Sequence, residues 1–406
     1  MKPCAANQFA ERIPRWAWAL TVTALLLATS AASAQPVIKT PPRNLAVVLG
    51  EEATFSVLAS DTTPLGYAWE HDGTALEGAT NSSLRLSNVA LSDLGSYTVL
   101  VRSDAGLTMS QAAWLKLARW TEFVYFGDSE CQASYGNGPT WGDYLPDLLS
   151  LPTSAKRIYF TGNASEADVR SQTLSYLAKY RPTTNTLVAV WKGGFAGDIM
   201  ALRYTPARSV SNRMVNLTRL ADAGVIHFLI PTLPSPRLWP QVSSLAPSQT
   251  FSNYDQLLDR ALTDLAQSRP VTIYRPDMET LEEAIQVDPA AYGFTNLTGL
   301  AQSCSRCDRS KYYIWDGFHP TTAANKVWSH FMYRALVPPL VVSASSKATG
   351  NELALQWQGG SPPFRLERCQ DLSNGQWETA ELTFSTAAKV AASVPHEFFR
   401  ILQLGQ

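Results

Sequence analysis

Short apolar runs alternate with amphipathic stretches in the middle of this chain, and this alternation constrains the fold more than any other feature. The apolar runs between residues 119 and 338 are Phe123–Phe126, Leu187–Trp191, Val225–Ile230 and Val271–Tyr274. The amphipathic stretches between them are Trp141–Ser150, Asp168–Tyr180, Ser209–Ala223 and Tyr254–Ser268. Apolar strands that alternate with helices are typical of a parallel sheet covered by helices. We therefore predict an α/β domain over residues 119–338, with a parallel sheet flanked by helices.

Residues 35–118 show a different pattern, in which short alternating segments are separated by turn residues. The segments are Ala53–Ala59, Leu65–Glu70, Ser83–Leu86 and Ser96–Arg102. Trp69 and the tyrosine-corner sequence around Tyr97 make this region similar to immunoglobulin-like domains. Val57 and Val99 stand where such domains carry their bridging cysteines. We therefore predict an immunoglobulin-like β-sandwich without that disulfide.

Residues 339–406 return to β-like alternation. The alternating segments are Leu353–Trp357, Phe364–Arg368, Thr379–Thr383 and Phe398–Leu402. Turn sequences such as Asn374-Gly375 separate them. We predict a small C-terminal β module. Contact with a polysaccharide or a cell surface and a simple spacer role both stay open for it.

Residues 1–34 have the composition of a targeting segment. Positive residues at Lys2, Arg12 and Arg15 precede the apolar run Trp16–Leu27, and the small residues 32–34 form a signal-peptidase pattern. We therefore expect a signal peptide and a secreted or exported protein, found outside the cell, in the periplasm or at the cell surface. A membrane anchor is the alternative.

Charge and histidine placement exclude several classes of partner. The chain has 33 Lys and Arg against 34 Asp and Glu, a formal net charge of −1. Without a basic excess, no nucleic-acid partner is expected. The histidines are scattered and form no metal-binding pattern. The glycine-rich segment 193–197 lacks the Lys-Ser/Thr of a phosphate-binding loop. We therefore expect neither a metal nor a cofactor.

Cysteines remain beyond the targeting segment at positions 131, 304, 307 and 369. In an oxidising compartment they allow three pairings, and the sequence leaves the connectivity open. Cys304 and Cys307 are spaced like redox or metal motifs, but no second Cys or His pair lies nearby. A local disulfide between them is the simpler interpretation.

Two short motifs at opposite ends of the α/β region contain the residues of serine ester chemistry. Ser129 follows Gly127-Asp128 directly after the first predicted strand. Asp316 precedes His319 by three positions in a turn-rich segment. Ester hydrolysis by serine needs a nucleophile, a base that titrates near neutral pH, and an anion that orients the base.

These motifs make residues 121–336 similar to the GDSL-type (SGNH) lipase and esterase family, especially its secreted lipase and phospholipase branch. The resemblance is carried by Phe126–Ser129, by the Asn-Gly-x-x-Trp segment at 137–141, and by Tyr313–Thr321. It implies Ser129 as nucleophile, His319 as base and Asp316 as the orienting carboxylate. It also implies a parallel sheet flanked by helices, and an ester of a lipid or an acylated carbohydrate as substrate.

The oxyanion hole departs from the family pattern. The resemblance implies the backbone amides of Ser129 and Gly162. Asn163, next to Gly162, is a candidate to replace the family's Asn side chain. The family's Asn should follow the strand that ends at Trp191, but Phe195 or Gly197 takes its place, depending on the alignment. Lys192 is a further candidate for that role. Loss of one oxyanion donor typically costs about 10²–10³ in rate, so we expect a slow or altered hydrolase.

Glu130, directly after the candidate nucleophile, is unusual for the family. It would either disfavour anionic substrates or lie in solvent. The function predicted from sequence is thus a secreted serine ester hydrolase that works through an acyl-enzyme. The alternative is a non-catalytic surface or polysaccharide-binding protein on a degenerate hydrolase scaffold, which the two β modules and the missing Asn favour.

Overall fold

A computed structural model describes residues 35–192, 195–201, 203–239, 241, 248–338, 341–343, 352–370, 377–391 and 398–405. The predicted signal peptide and the Gly193–Gly194 part of the glycine-rich segment lie outside these residues. Among the residues described, no helix is both long and apolar enough to cross a bilayer.

The elements are numbered in chain order. The strands are β1 (Val37–Thr40), β2 (Leu45–Val47), β3 (Ala53–Ser56), β4 (Leu58–Ser60), β5 (Gly66–His71), β6 (Thr74–Ala75), β7 (Ser83–Leu86), β8 (Gly95–Ser103), β9 (Gly106–Met109), β10 (Ala113–Leu117), β11 (Glu122–Gly127), β12 (Lys156–Phe160), β13 (Thr186–Val190), β14 (His227–Leu229), β15 (Thr272–Tyr274), β16 (Asn296–Leu300), β17 (Tyr312–Ile314), β18 (Val341–Ser343), β19 (Glu352–Gln358), β20 (Phe364–Cys369), β21 (Glu378–Thr383), β22 (Ala387–Ala391) and β23 (Phe398–Gln403). The helices are α1 (Trp141–Leu148), α2 (Glu166–Lys179), α3 (Pro206–Asp222), α4 (Ser248–Ser268), α5 (Met278–Val287) and α6 (Thr322–Leu336), with a π-helical segment at Phe195–Met200.

Two compact units make up the chain. Of the described residues, the first unit holds 35–43, Thr54–Arg85 and Ser96–Ala113, and the second holds Asn44–Ala53, Leu86–Gly95 and the rest from Trp114 onward. The module boundaries after residues 34, 118 and 338 stay a prediction.

In the first unit, antiparallel pairing joins β1 to β4, β5 to β6 and β8, and β8 to β9. Phe55, Trp69 and Tyr97 fill its interior, and the rings of Phe55 and Tyr97 stack with centroids 4.6 Å apart. Val57 and Val99 are both buried. Apolar side chains therefore occupy the positions where a bridging cysteine pair would lie.

The second unit is organised around a five-stranded parallel sheet in the order β12-β11-β13-β14-β15. In register, Phe126 of β11 lies beside Tyr159 of β12 and Val190 of β13. Helix α2 packs on β11 and β12, and α4 packs on β15. This arrangement agrees with the predicted α/β domain.

Capping residues explain where the helices begin. Ser165 and Asp168 exchange hydrogen bonds at the start of α2, so that both ends of a capping box are made. Thr205 caps α3, where Pro206 occupies the first turn. Thr321 Oγ1 accepts from Ala324 N at the start of α6. The α6 cap fixes the point at which the preceding loop must end.

One strand of the sheet was absent from the sequence prediction. β12 contains Lys156 and Arg157, and it lies at the sheet edge, where its five residues are only half-buried or exposed. An edge strand does not need the continuous apolar run that marks the central strands β11 and β13. The hydrophobic pattern therefore identified the other four strands, which have apolar runs, and missed this one.

The C-terminal residues of the second unit form a small β module, as predicted. Its strands pair as β18-β19-β22 and β21-β20-β23, all antiparallel. The core between them includes Leu355, Trp357, Phe364 and Leu366. Leu117 N of β10 donates to Leu404 O at 2.7 Å. The end of this module is thereby bonded to the segment that leads into the parallel sheet.

Candidate active site

The candidate nucleophile lies at the carboxyl end of a central strand. β11 ends at Gly127, and Ser129–Cys131 forms a short 3₁₀ turn capped by Asp128, whose Oδ1 accepts from Glu130 N at 3.0 Å. Both backbone groups of Gly127 bond to the buried side chain of Gln172, at 3.1 and 2.9 Å. The turn that presents Ser129 is thus held on both sides.

A second loop, between β17 and α6, carries Asp316 and His319. Asp316 Oδ1 accepts from the backbone N–H groups of Phe318 and His319, at 3.0 and 2.9 Å. Gly317 has φ of +99°, and a Cβ there would lie 2.8 Å from Cδ of Gln241. The positive φ favours glycine at this position, and a larger residue would also displace the Gln241 side chain. The Asp-Gly-Phe-His sequence therefore builds a closed turn that fixes both side chains.

The fold brings these two loops together. Ser129 Oγ lies 2.8 Å from His319 Nε2, and His319 Nδ1 lies 2.8 Å from Asp316 Oδ2. The three predicted residues thus form a continuous hydrogen-bonded chain. This is the geometry in which an imidazole can take a proton from a hydroxyl while a carboxylate stabilises the resulting cation.

The charges and hydrogen bonds around His319 suit a base that works near neutral pH. Burial alone would lower the pKa of His319, but the hydrogen bond to Asp316 and the negative charge of Glu130 outweigh it, so the pKa is raised. Burial would raise the pKa of Asp316, but the hydrogen bonds from His319 and Phe318 lower it. Asp316 therefore stays ionised where His319 titrates.

The raised pKa of His319 predicts a pH dependence. A general base must be neutral to accept a proton, so kcat/KM for an ester should fall as pH drops through the pKa of His319. We expect the midpoint of this acidic limb to lie above the ordinary histidine value of about 6.5. A pH–rate profile measures it. A midpoint well below that value would contradict the assigned electrostatics.

The Asn-Gly-x-x-Trp segment, at 137–141, anchors the histidine loop. Asn137 Oδ1 accepts from Thr322 N at 2.6 Å. Gly138 has φ of +146°, and a Cβ there would lie 2.7 Å from Thr322 Oγ1. Trp141 N donates to Asn325 Oδ1 at 2.9 Å. The segment thereby fastens the start of α6, three residues beyond His319, to the start of α1.

The predicted oxyanion residues lie in the same cleft. Gly162 and Asn163, which follow β12, line it together with Ser129 and His319. Asn163 has φ of +55°, a conformation that Asn tolerates better than most residues. Phe195 and Gly197 belong to the π-helical segment. Among the described lining residues, Asn163 is the one asparagine.

A buried ion pair stands beside the candidate nucleophile. Glu130 is only 5% exposed, and its Oε1 lies 2.6 Å from Lys192 Nζ. Trp191 Nε1 donates to the other carboxylate oxygen. The alternative that Glu130 lies in solvent is therefore wrong: it is buried because two donors from the neighbouring strand end satisfy it.

Sequence reasoning could have found this pair from topology. Glu130 follows β11 and Lys192 follows β13, and adjacent parallel strands end at the same edge of a sheet. The pairing of β11 with β13 is nevertheless known only from the tertiary structure.

The burial of Asp128 and the charge of Glu130 raise the pKa of Asp128 to about 6. Lys192 places a positive charge beside the carboxyl groups of Asp128 and Glu130.

The cleft itself has a volume of about 610 Å³. One wall holds the polar residues described above. The remainder is mainly apolar and includes Met200, Leu233, Trp239, Phe251 and Phe318. This size and composition are typical of a pocket for an organic ligand with an apolar part. Trp191, at the end of the β13 segment, is buried in the core and is not one of the described lining residues.

The buried carboxyl group of Glu282 holds Trp239, one of the apolar residues that line the cleft. Glu282 accepts from Trp239 Nε1 at 3.1 Å, from Tyr313 Oη at 2.7 Å and from Ser235 N at 2.7 Å. Burial raises the pKa of Glu282 to about 7, although these hydrogen bonds act in the opposite direction. The group ties the segment before α4 to β17, which leads into the Asp316 loop.

The cysteines divide into one bonded pair and two thiols. Cys304 and Cys307 form the local disulfide that the sequence suggested. Cys131 and Cys369 are buried and form no disulfide within the described residues. Burial, together with the charge of Asp128, raises the pKa of Cys131 well above its ordinary value. Cys131 is therefore a packing residue under the Ser129 turn.

Within the described ranges, no three His, Cys, Asp or Glu side chains cluster as metal ligands.

Comparisons with known proteins identify the N-terminal region. Residues 35–103 match the family model of the immunoglobulin domain, so this region is an immunoglobulin-like β-sandwich. Titin domain M4 is 20% identical and covers 21% of this chain and 97% of its own, with a TM-score of 0.20. Titin domain M3 is 26% identical over 20% of this chain and 96% of its own, with a TM-score of 0.19.

A second relative covers a larger part of the chain. The thermolabile hemolysin of Vibrio parahaemolyticus serotype O3:K6 is 24% identical over 226 residues. That alignment covers 47% of this chain and 53% of the hemolysin, so the match spans about half of either protein.

Proposed function

We propose that this protein is a serine ester hydrolase of the GDSL (SGNH) type. The observation that carries the proposal is the chain of contacts from Ser129 Oγ through His319 to Asp316, each at 2.8 Å, in which Ser129 and His319 line the cleft. The order of the motifs along the chain and the parallel sheet support it.

The geometry supports a two-step mechanism. His319 Nε2 takes the Ser129 proton as Oγ bonds to the ester carbon, and the carbonyl electrons move to oxygen. The ester C–O bond then breaks, and the alcohol leaves with the proton from His319. A water molecule, deprotonated by His319, releases the acid and restores Ser129. The backbone amides of Ser129 and Gly162 would bind the oxyanion, and Asn163 lies beside them in the cleft.

The substrate we propose is a carboxylic ester with an apolar acyl chain. Leu233, Trp239 and Phe251 provide a surface on which methylene groups would be buried, at about 0.8 kcal/mol for each CH₂. A hemolysin acts on red-cell membranes, so the similarity to one favours a lipid ester over an acylated carbohydrate. We further propose that the protein is exported through residues 1–34, and that the β modules contact a cell surface or a polysaccharide.

A fluorophosphonate probe tests the assignment directly. We expect the probe to label the protein once, and peptide mapping should place the phosphonyl group on Ser129. The reaction requires a serine activated by a base. Ser171 is an internal control for this labelling, and it should stay unmodified. It is an exposed helical serine whose Oγ donates to a backbone carbonyl, that of Ala167, and not to a base. Absence of labelling at Ser129, together with binding to a polysaccharide, would support the non-catalytic alternative.

A further inference from the structure

Three neighbouring strands end side by side at the cleft. In the sheet order β12-β11-β13, Gly162 follows the first strand, Ser129 the second and Lys192 the third. Gly127 is in register with Phe160, and Trp191 N donates to Phe126 O at 3.0 Å. Gly162 and Lys192 therefore lie on opposite sides of the Ser129 turn.

The backbone of Lys192 is held in an unusual conformation. Its φ is +48°, which lysine rarely adopts. The buried Arg213 guanidinium donates to its carbonyl, and Arg213 itself forms an ion pair with buried Glu166 at 3.0 Å. A conformation of this kind persists only where its surroundings enforce it. The position of Lys192 is thus built into the fold.

The ammonium group is held as firmly as the backbone. Lys192 Nζ lies 2.6 Å from Glu130 Oε1, and 5.6 and 5.8 Å from the ring centroids of Trp191 and Trp239. An ammonium carries three N–H donors, and the bond to Glu130 uses one. Burial alone would lower the pKa of Lys192, but Glu130 and Asp128 raise it overall. Lys192 therefore lines the cleft as a cation.

We propose that Lys192 supplies the side-chain oxyanion donor of this enzyme, in the place that asparagine would otherwise fill. The inference rests on the proposed ester hydrolysis. As Ser129 Oγ bonds to the acyl carbon, the carbonyl π electrons become an oxygen lone pair, and an N–H of Lys192 bonds to that oxygen. No proton moves to the oxyanion. When the leaving alcohol departs, the carbonyl re-forms and the bond to Lys192 weakens.

In this proposal Glu130 positions the ammonium group of Lys192. Its carboxylate keeps the ammonium at the strand end and balances the charge while the site is empty. Because the oxyanion exists only in the transition state and the intermediates, the extra attraction acts there and not on the bound ester. Lys192 is a catalytic residue in this proposal, and Arg213 is a positioning residue.

Replacing Lys192 with Met tests the proposal. We expect kcat for a p-nitrophenyl ester to fall by about 10²–10³-fold, the usual cost of one oxyanion donor, with KM changed little. Lys192→Arg, which keeps a cationic donor, should recover part of kcat. Lys156→Met is the matched control, because Lys156 pairs with Asp143 at 2.8 Å at the opposite end of β12. It should leave kcat unchanged.

The double variant Glu130→Gln/Lys192→Met separates catalysis from packing. It removes both charges, so it should restore thermal stability if Lys192→Met lowers it. Its kcat should stay low if Lys192 acts on the oxyanion. Recovery of kcat in the double variant, or a kcat within about threefold of wild type in folded Lys192→Met, would overturn the proposal. A wild-type protein no faster than Ser129→Ala would instead overturn ester hydrolysis itself.

Discussion

Replacing Ser129 with Ala should lower kcat/KM for p-nitrophenyl esters by about 10⁴-fold or more. The Oγ atom is the group that His319 Nε2 contacts at 2.8 Å, and alanine offers no atom that can form the acyl-enzyme. A loss of this size corresponds to about 5 kcal/mol of transition-state stabilisation. The fold should be retained, because the neighbouring cap from Asp128 to Glu130 N does not involve the Ser129 side chain.

Purified protein and an ester panel from acetyl to long acyl chains provide the measurement. Ser171→Ala serves as the control, since Ser171 lies on the exposed face of α2. The residual rate of Ser129→Ala should equal the protein-free hydrolysis rate of each ester in the panel if the background reaction alone remains. Equal rates for wild type and Ser129→Ala would eliminate Ser129 as the nucleophile.

Replacing Asp316 with Asn should cost about 10⁴-fold in kcat, the second largest effect we expect. The amide oxygen can still accept from the N–H groups of Phe318 and His319, so the loop should keep its shape. The amide lacks the negative charge that stabilises the imidazolium. It can also hold the ring in the wrong tautomer.

The acidic limb of the pH profile provides an independent test of Asp316. The hydrogen bond from Asp316 raises the pKa of His319, so the midpoint should move to lower pH in Asp316→Asn. Asp308→Asn is a matched control, because Asp308 caps a short turn and its Oδ1 accepts from Ser310 N at 3.0 Å. The assignment fails if both variants keep the wild-type rate and midpoint.

The strands of the parallel sheet differ in how clearly their own residues mark them. The apolar runs predicted β11 and β13, because central parallel strands are buried on both faces. The same pattern missed β12, whose edge position tolerates Lys156 and Arg157. Hydrophobic periodicity reports burial, and β12 is only half-buried or exposed along its length.

The sequence by itself determined which residues are candidates for the chemistry. Asp316 and His319 lie in one turn that is closed by local hydrogen bonds and by a glycine with positive φ. Ser129 follows a strand that its own composition predicts. The Cys304–Cys307 disulfide is equally local. Short-range interactions depend on neighbouring residues, which a sequence displays directly.

Only the tertiary structure decided how the site is completed. Lys192 meets Glu130 across 62 positions, and Asn137 reaches Thr322 across 185. These contacts depend on which strands are neighbours and on how far each strand extends, and neither is written in the local sequence. The charge that stands beside Ser129 was therefore set by the order of the parallel strands, because their carboxyl ends meet at one edge of the sheet.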